Sequence, residues 1–501
     1  MLQGILNYTA LSTTELKRTL LSFFALLSLL ISYYLVKPLR NSQFLNSFDP
    51  DLLPFVFLGI AFVSLMVTKF YGAFYGKVKK RSLIKGAYLI IFLLHLLFHF
   101  LLHSDNKPVV ALFYVFASVY FLLALALMWA CINDAFLPQE GQKCYGYVTA
   151  GATIGSLAGA ELSSWVVTSA YRDQSLLIAG GLLLFSMFLV LKILPDKKSA
   201  PKPQPLTIQP VKPKAQHFFS DFVRLFQDRY IRGITMMVYS LALFNTVMEF
   251  QMSVQIDTSL SQKLYAEVFV DVKEKLGPEG FEKVHALKAV KSSQRSEKIL
   301  MLAKQAEISE TEFLNLYQNY LDIKEPKVRK FYIDIFRGQG YLGVILLLVT
   351  SRWLFTHMGL SFSVMLLPVF CLSAIVIMSF PVEIIIIQFL MILGGSMNYS
   401  LNNATKELLY TQTDEQTKFQ LKPIVEGPIM RFGDVSASLL KLFIWFGMAS
   451  VFGWSEITNQ TILFAIVFVM IIIWVISVSH GARDFDAKRK QDRELASRPR
   501  I

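Results

Sequence analysis

The sequence predicts an all-helical integral membrane protein with twelve transmembrane helices in two halves of six. Three observations carry that prediction: an apolar composition, the number and length of the apolar stretches, and a Pro- and Lys-rich break midway along the chain. Hydrophobic residues make up 54% of the 501 and charged residues only 17%, with Phe the outlier at 42 copies. Soluble domains carry about a quarter charged residues. Mean hydropathy is +0.48, which a soluble globule cannot accommodate.

A helical span needs roughly 20 apolar residues. Stretches of that kind recur near 20–36, 52–75, 84–102, 109–132, 145–170 and 175–194, and again near 231–252, 331–351, 354–380, 383–403, 424–452 and 459–479. The first follows Lys17 and Arg18, is too long for a signal h-region and meets no small-residue cleavage site, so it reads as an uncleaved span. Between the sixes lies PDKKSAPKPQPLTIQPVKPKAQ, whose Pro and Lys content reads as an extended, solvated linker. Two six-helix halves joined by a basic linker is the layout of the major facilitator architecture. The expected organisation is a first half at 1–195, a linker at 196–217, span 7 within 218–252, an insert at 253–329, spans 8–12 within 330–480 and a basic tail at 481–501.

Orientation follows from the short loops. With the N-terminus inside, the cytoplasmic side receives Lys77, Lys79, Lys80, Arg81, Lys85 and Lys143, the linker lysines, Arg352, Lys418, Lys422 and the tail. The opposite side receives weakly charged turns such as HSDNKP, YRDQ and GWSEITNQ. Both termini are therefore expected in the cytoplasm of a multi-pass inner-membrane protein. The 253–329 segment is polar, carries 12 basic and 12 acidic residues and has helical composition broken at Gly277-Pro278. It is expected as a small helical subdomain outside the membrane, either a plain insertion or a docking surface for a protein partner.

Charges within spans are costly, about 2.5–3.5 kcal/mol each on insertion scales, so they mark cavities or partners. In span 1, Tyr33, Lys37, Arg40 and Phe44 share a helical face, with Pro38 between them. Lys37 and Arg40 lie towards the outer half, where basic residues are discouraged, and this points to anion binding over snorkelling. Asp334 and Arg337 in span 8, and Arg431, Asp434 and Lys441 in span 11, form sets that read equally as structural ion pairs or substrate contacts. Lys441 has no acidic residue within a turn of sequence and is the better binding candidate. Glu161, Glu249, Lys406 and Glu407 complete the inventory, Glu249 as a proton acceptor or an ion-pair partner. A basic excess spread over both halves suits a polyanion such as a phosphate chain, which Arg binds bidentately.

Other patterns read as packing. Gly151, Gly155 and Gly159 in span 5 form a small-residue seam. His95, His99 and His103 share one face of span 3 but lack a matching carboxylate, so no metal is expected. Cys131, Cys144 and Cys371 have neither disulfide nor zinc spacing. No G-x-x-x-x-G-K-[ST] word occurs, nor any Ser/His/Asp grouping, and neither enzyme, cofactor nor nucleic-acid partner is expected. Asn133-Asp134 after span 4 and Asn402-Asn403 after span 10 are each followed by a Gln-rich polar loop, a faint repeat between the halves that adds Asn133 and Asp134 to the candidates.

Three words carry a family resemblance: SYYLVKPLRNSQFL in span 1, WACINDAFLPQEGQKCYGYVTAGATIGSLAG across spans 4–5, and NNATKELLYTQTDEQTKFQLKPIVEGPIMRFGDVSASL across spans 10–11. The chain resembles the ATP:ADP antiporters, the nucleotide transporters of intracellular bacteria and plastids, over roughly 20–195, 218–250 and 331–480. The resemblance implies a major-facilitator-type fold and exchange of ATP against ADP, other members importing nucleotides with protons. It also implies that Lys37 and Arg40 stand near the nucleotide, that Lys406 and Glu407 stand in the family's Thr-Lys-Glu word, and that Arg431 and Asp434 stand in its Arg-x-Gly-Asp word. Asn41 departs from a position that is often acidic, and the 253–329 insert exceeds the usual connection.

The expected function is nucleotide exchange by alternating access, the phosphates bound by Lys37 and Arg40 with Lys441 or Arg431. A proton-coupled importer of a nucleotide or another organic anion, titrating Glu161 or Glu249, is the alternative. A receptor or scaffold acting through 253–329 is the third reading.

Overall fold

The computed structural model describes residues 11–74, 78–104, 106–136, 138–194, 229–290, 292–346, 357–380, 382–411 and 424–496, with Leu225 and Gln227. The linker, Lys77, Arg352, Lys418 and Lys422, on which part of the expected orientation rests, lie outside the described residues. The fold is all-helical, as the sequence predicts. Its helices are α1 (Thr13–Ser47), α2 (Leu53–Phe74), α3 (Lys80–Leu101), α4 (Lys107–Ala135), α5 (Pro138–Thr168), α6 (Ser175–Ile193), α7 (Arg229–Val268), α8 (Lys273–Leu276), α9 (Gly280–Ala286), α10 (Ser292–Ala306), α11 (Glu310–Ile345), α12 (Gly359–Met378), α13 (Ile384–Met397), α14 (Asn403–Thr411), α15 (Met430–Leu442), α16 (Ala449–Phe452) and α17 (Glu456–Ala496).

Ten helical stretches among the described residues are long and apolar enough to cross a membrane. Two further expected spans are also helical but fall outside those ten. Span 5 lies in α5, diluted by its Gly and Ser residues, and span 8 lies in α11, which carries Asp334 and Arg337 and whose continuation at 347–350 lies outside the described residues. Whole apolar faces are exposed, including Phe62, Leu65 and Phe70 on α2 and Ile385 and Phe389 on α13. An exposed patch of this extent on a helix of spanning length is what a bilayer covers.

The chain divides into two compact units, residues 1–202 with 253–337, and residues 203–252 with 338–501. In the first unit α1 is the central helix. A capping box starts it: Ser12 Oγ accepts from the Glu15 amide at 3.2 Å, and Glu15 Oε2 accepts from the Ser12 amide at 2.6 Å. Its other contacts use small residues and hydroxyls, as expected where lipid removes the hydrophobic drive for helix association. Ser32 Oγ donates to the Ala179 carbonyl on α6 at 2.8 Å, and Ser186 Oγ on α6 donates back to the Ala25 carbonyl at 2.9 Å.

The glycine seam of α5 lies directly on α1. A Cβ at Gly155 would stand 2.6 Å from the Leu27 carbonyl oxygen, and one at Gly159 would stand 2.8 Å from both Ile31 Cα and Tyr34 Cβ. Gly155→Val is therefore expected to force α1 away from α5, at a cost of about 1–3 kcal/mol or more. Thermal melting in detergent checks this, with Gly181→Val as control because nothing lies within 4 Å of a Cβ there. Equal melting of the two variants would remove the seam from the packing account.

The insert is built into the first unit. α7 and α11 run beyond their apolar stretches, and α8, α9 and α10 fill the space between with a core that includes Phe269, Leu276, Leu287, Leu302, Phe313 and Tyr320. Asp257, 1% exposed, gathers three basic groups: Lys324 at 2.7 Å, His285 at 2.9 Å and Lys288. The insert is tied to the ends of α1, α4 and α6. Lys324 Nζ donates to the Leu45 carbonyl at 3.1 Å, Ser42 Oγ donates to Glu325 Oε1 at 2.6 Å, Lys107 Nζ donates to the carbonyls of Lys288 and Val290, and Arg329 donates to Ser175 Oγ. A loosely attached insertion would not bury a charge cluster of this kind.

In the second unit α12 lies along α17, and π-helical turns at Asn398–Asn402, Val425–Ile429 and Phe443–Met448 interrupt the regular helices. π-turns recur at functional sites because they re-aim side chains. Here they flank Lys406, Arg431 and Lys441.

Candidate functional site

Two caged cations stand out, one in each unit. On α1, Lys37 is half-buried with its ammonium 4.1 Å from the Phe336 ring centroid and 5.8–5.9 Å from those of Tyr34 and Tyr33. Tyr33 is itself held flat on Phe121, centroids 3.7 Å apart. Each cation–π contact contributes about 0.5–2 kcal/mol, which offsets part of the cost of removing an ammonium from water. The cage therefore holds the charge in place.

One turn on, Arg40 is 6% exposed. Its Nε and Nη2 donate to Asn41 Oδ1 at 3.0 and 2.9 Å, its Nη1 donates to Ser118 Oγ at 2.7 Å, and the guanidinium lies 4.3 Å over the Tyr114 ring. Asn41 has a clear role here: its one amide oxygen accepts two guanidinium N–H groups and brings no negative charge.

In the second unit Lys441 is 1% exposed, its ammonium 5.1 Å from the Trp445 ring and 5.6 Å from the Phe250 ring. The spacing that singled out Lys441 thus finds a second aromatic-lined cation.

The other sequence candidates sort differently. Arg337 joins Glu161 (2.8 Å) and Asp334 (3.3 Å) in one cluster, bringing span 5 and span 8 together as an ion-paired group. Arg431 pairs with Asp434 at 2.9 Å, and Asp434 also accepts from Thr246 Oγ1 at 2.8 Å. Gly433 gives the Arg-x-Gly-Asp word its meaning: a Cβ there would stand 2.8 Å from the Tyr239 carbonyl oxygen, so the glycine lets α15 approach α7 and brings Asp434 to Thr246. Lys406 pairs with Glu426 at 3.0 Å, Glu407 is exposed, and Glu249 is half-buried on the α7 turn between Thr246 and Phe250. Asn133 and Asp134 lie at the exposed end of α4, Asn133 accepting from the Tyr145 hydroxyl at 3.0 Å and Asp134 pairing with Lys80.

The histidine row dissolves into packing. His95 is fully buried between Phe116 and Tyr120, its Nδ1 2.8 Å from the Ile91 carbonyl, and His103 Nδ1 meets the His99 carbonyl at 2.7 Å. Among the described residues no group of His, Cys, Asp and Glu is placed to hold a metal.

Sequence reasoning missed Tyr34, Phe336, Tyr114, Ser118, Phe250 and Trp445. Tyr34 and Trp445 were within reach, since they stand three and four residues from Lys37 and Lys441 and share their helical faces. Phe336 and Tyr114 arrive from distant segments with no local signal.

Comparison with known proteins adds three findings. Residues 339–485, within the second unit, match the family model of the TLC ATP/ADP transporters. No curated protein matches the chain. Among solved structures, nucleoside transporter NupG superposes with a TM-score of 0.53 at 12% identity, over 93% of this chain and 99% of that one. A point mutant of NupG gives a TM-score of 0.52 at 13% identity, over 94% and 100%. At such identity the likeness speaks for fold. The chain is thus a multi-pass membrane transporter and not an enzyme, with a major-facilitator-like fold, and its residues 339–485 are similar to the TLC ATP/ADP transporters.

Proposed function

We propose that this protein exchanges nucleotides across the membrane by alternating access, ATP against ADP, and that Lys37 and Arg40 receive the phosphates with Lys441 as a further cation. The observation that carries the reading is the Lys37 cage, a fixed ammonium ringed by Tyr33, Tyr34 and Phe336 in the span that resembles the antiporters. An aromatic-lined cation suits both ends of a nucleotide: phosphate oxygens take the charge, and a base stacks on aromatic faces for about 1–3 kcal/mol. Fixed cations repel one another until a polyanion bridges them. Occupancy therefore lowers the free energy of the states in which they converge, and an empty carrier stalls. This is population shift by differential binding, and it couples inward to outward movement. ATP carries about one more negative charge than ADP, so exchange moves net charge unless a counter-ion accompanies it. The ion pairs at Arg337 and Arg431 are assigned to holding helices together, and both termini to the cytoplasmic side of an inner membrane.

Nucleotide-dependent melting of the purified protein tests the binding half of this reading. ATP and ADP are expected to raise the melting temperature. Lys441→Ala is expected to weaken that response by about ten- to a hundredfold in the nucleotide concentration required, the loss of one charge-assisted contact. Stabilisation equally strong in Lys441→Ala would remove Lys441 from the site, and no stabilisation of the parent by any nucleotide would contradict the substrate class.

A further inference from the structure

A cavity of about 650 Å³ opens in the first unit where the insert meets the ends of the spans, a volume within the usual range of small-molecule sites. Asp49, Ser104, Asn106 and Lys107 line it from the turns after α1 and α3, and Lys288 and Arg295 line it from the insert. Among the described residues its lining carries Lys107, Lys288 and Arg295 against Asp49, and the Lys288 ammonium is already paired with Asp257. Lys107 is fixed at its wall by donating to the carbonyls of Lys288 and Val290. Arg295 Nε is buried and has no hydrogen-bond partner among the described residues.

Behind the wall Asp257 is set against Lys288 and Lys324, with His285 held towards its neutral form by burial. Burial pushes Lys324 down to about 8, with the charge of Lys288 acting in the same direction and that of Asp257 opposing. A buried guanidinium nitrogen with no acceptor is costly, and an anionic oxygen entering the cavity removes the cost.

We propose that this cavity is a second anion site, taking a phosphate-bearing ligand through Arg295 with Lys107 beside it. Lys37 lies ten residues of α1 before Ser47, on the order of 15 Å along the helix axis from the end that the cavity adjoins. The site is therefore distinct from the Lys37 cage and stands whether or not the protein exchanges nucleotides. A free phosphate, the phosphates of a nucleotide and an anionic lipid headgroup share the chemistry it recognises.

Equilibrium dialysis of the full-length protein in a neutral, phosphate-free detergent against radiolabelled inorganic phosphate tests the proposal. Saturable binding is expected, weakened about ten- to a hundredfold by Arg295→Gln, which removes one charge-assisted contact. The exposed Lys298→Gln is expected to bind as the parent does. Should Arg295→Gln lower the melting temperature, Arg295→Lys is read in its place, with a smaller loss expected because the charge is kept and the fork geometry is not. Displacement of bound phosphate by ATP identifies a nucleotide as the source, and displacement by phosphatidylglycerol identifies a lipid headgroup; either supports the site. Absence of saturable binding by phosphate, ATP and phosphatidylglycerol alike, or equal affinity in the parent and both Arg295 variants, would overturn it.

Discussion

Lys37→Ala is expected to abolish nearly all ATP uptake while leaving the protein folded. The ammonium is half-buried among Tyr33, Tyr34 and Phe336, so its removal deletes these cation–π contacts and one proposed phosphate ligand. The direct contact is worth about 1.5–3 kcal/mol, a factor of roughly ten to a hundred in affinity. Uptake at a nucleotide concentration near the parent's half-saturation should therefore fall by about five- to fiftyfold. The melting temperature without nucleotide separates the readings. An unchanged melt with lost uptake places Lys37 in the substrate path. A melt lowered as far as that of Gly155→Val would instead make the cage a packing device for α1 and α11.

Asp257→Ala is expected to be the most destabilising single substitution in the insert. It leaves Lys288 and Lys324, 4% and 1% exposed, facing each other with their shared carboxylate gone. Breaking a buried ion pair from one side costs about 3–5 kcal/mol, because the remaining charge stays desolvated. Limited proteolysis should cut within 253–329 at protease concentrations that spare the parent, and melting should broaden or split. Adding Lys324→Met to Asp257→Ala removes one of the stranded charges and is expected to recover part of the loss. Identical digestion of Asp257→Ala and the parent would mean that the apolar core around Phe269, Phe313 and Tyr320 holds the insert without the charges.

These two residues also mark what a sequence reader sees and misses. Span positions were legible because composition and length decide them, and the Gly151, Gly155 and Gly159 seam was legible because a four-residue spacing of small residues has one common use in a membrane. Lys37 was visible as a charge out of place. Its cage was only half visible: Tyr33 and Tyr34 share its helix, whereas Phe336 comes from span 8 and is brought there by the α1–α11 packing. Asp257 drew no notice, since in sequence it is one of twelve acids balanced by twelve bases. Only the fold shows that two of those bases, Lys288 and Lys324, converge on it together with His285. In the Arg-x-Gly-Asp word the charges are evident in sequence, and the glycine matters as much, by admitting α15 close enough to α7 for Asp434 to reach Thr246. Asn133 and Asp134, singled out by the repeat between halves, lie at an exposed helix end with Lys80 and Tyr145.

The central claim is obligatory nucleotide exchange, and counter-transport in proteoliposomes of the purified full-length protein tests it most directly. Labelled ATP is supplied outside vesicles that are empty, loaded with ADP, or subjected to an inward proton gradient. The account predicts rapid uptake into ADP-loaded vesicles only, and its loss in Lys37→Ala. Uptake that ignores internal ADP and follows the proton gradient would contradict exchange.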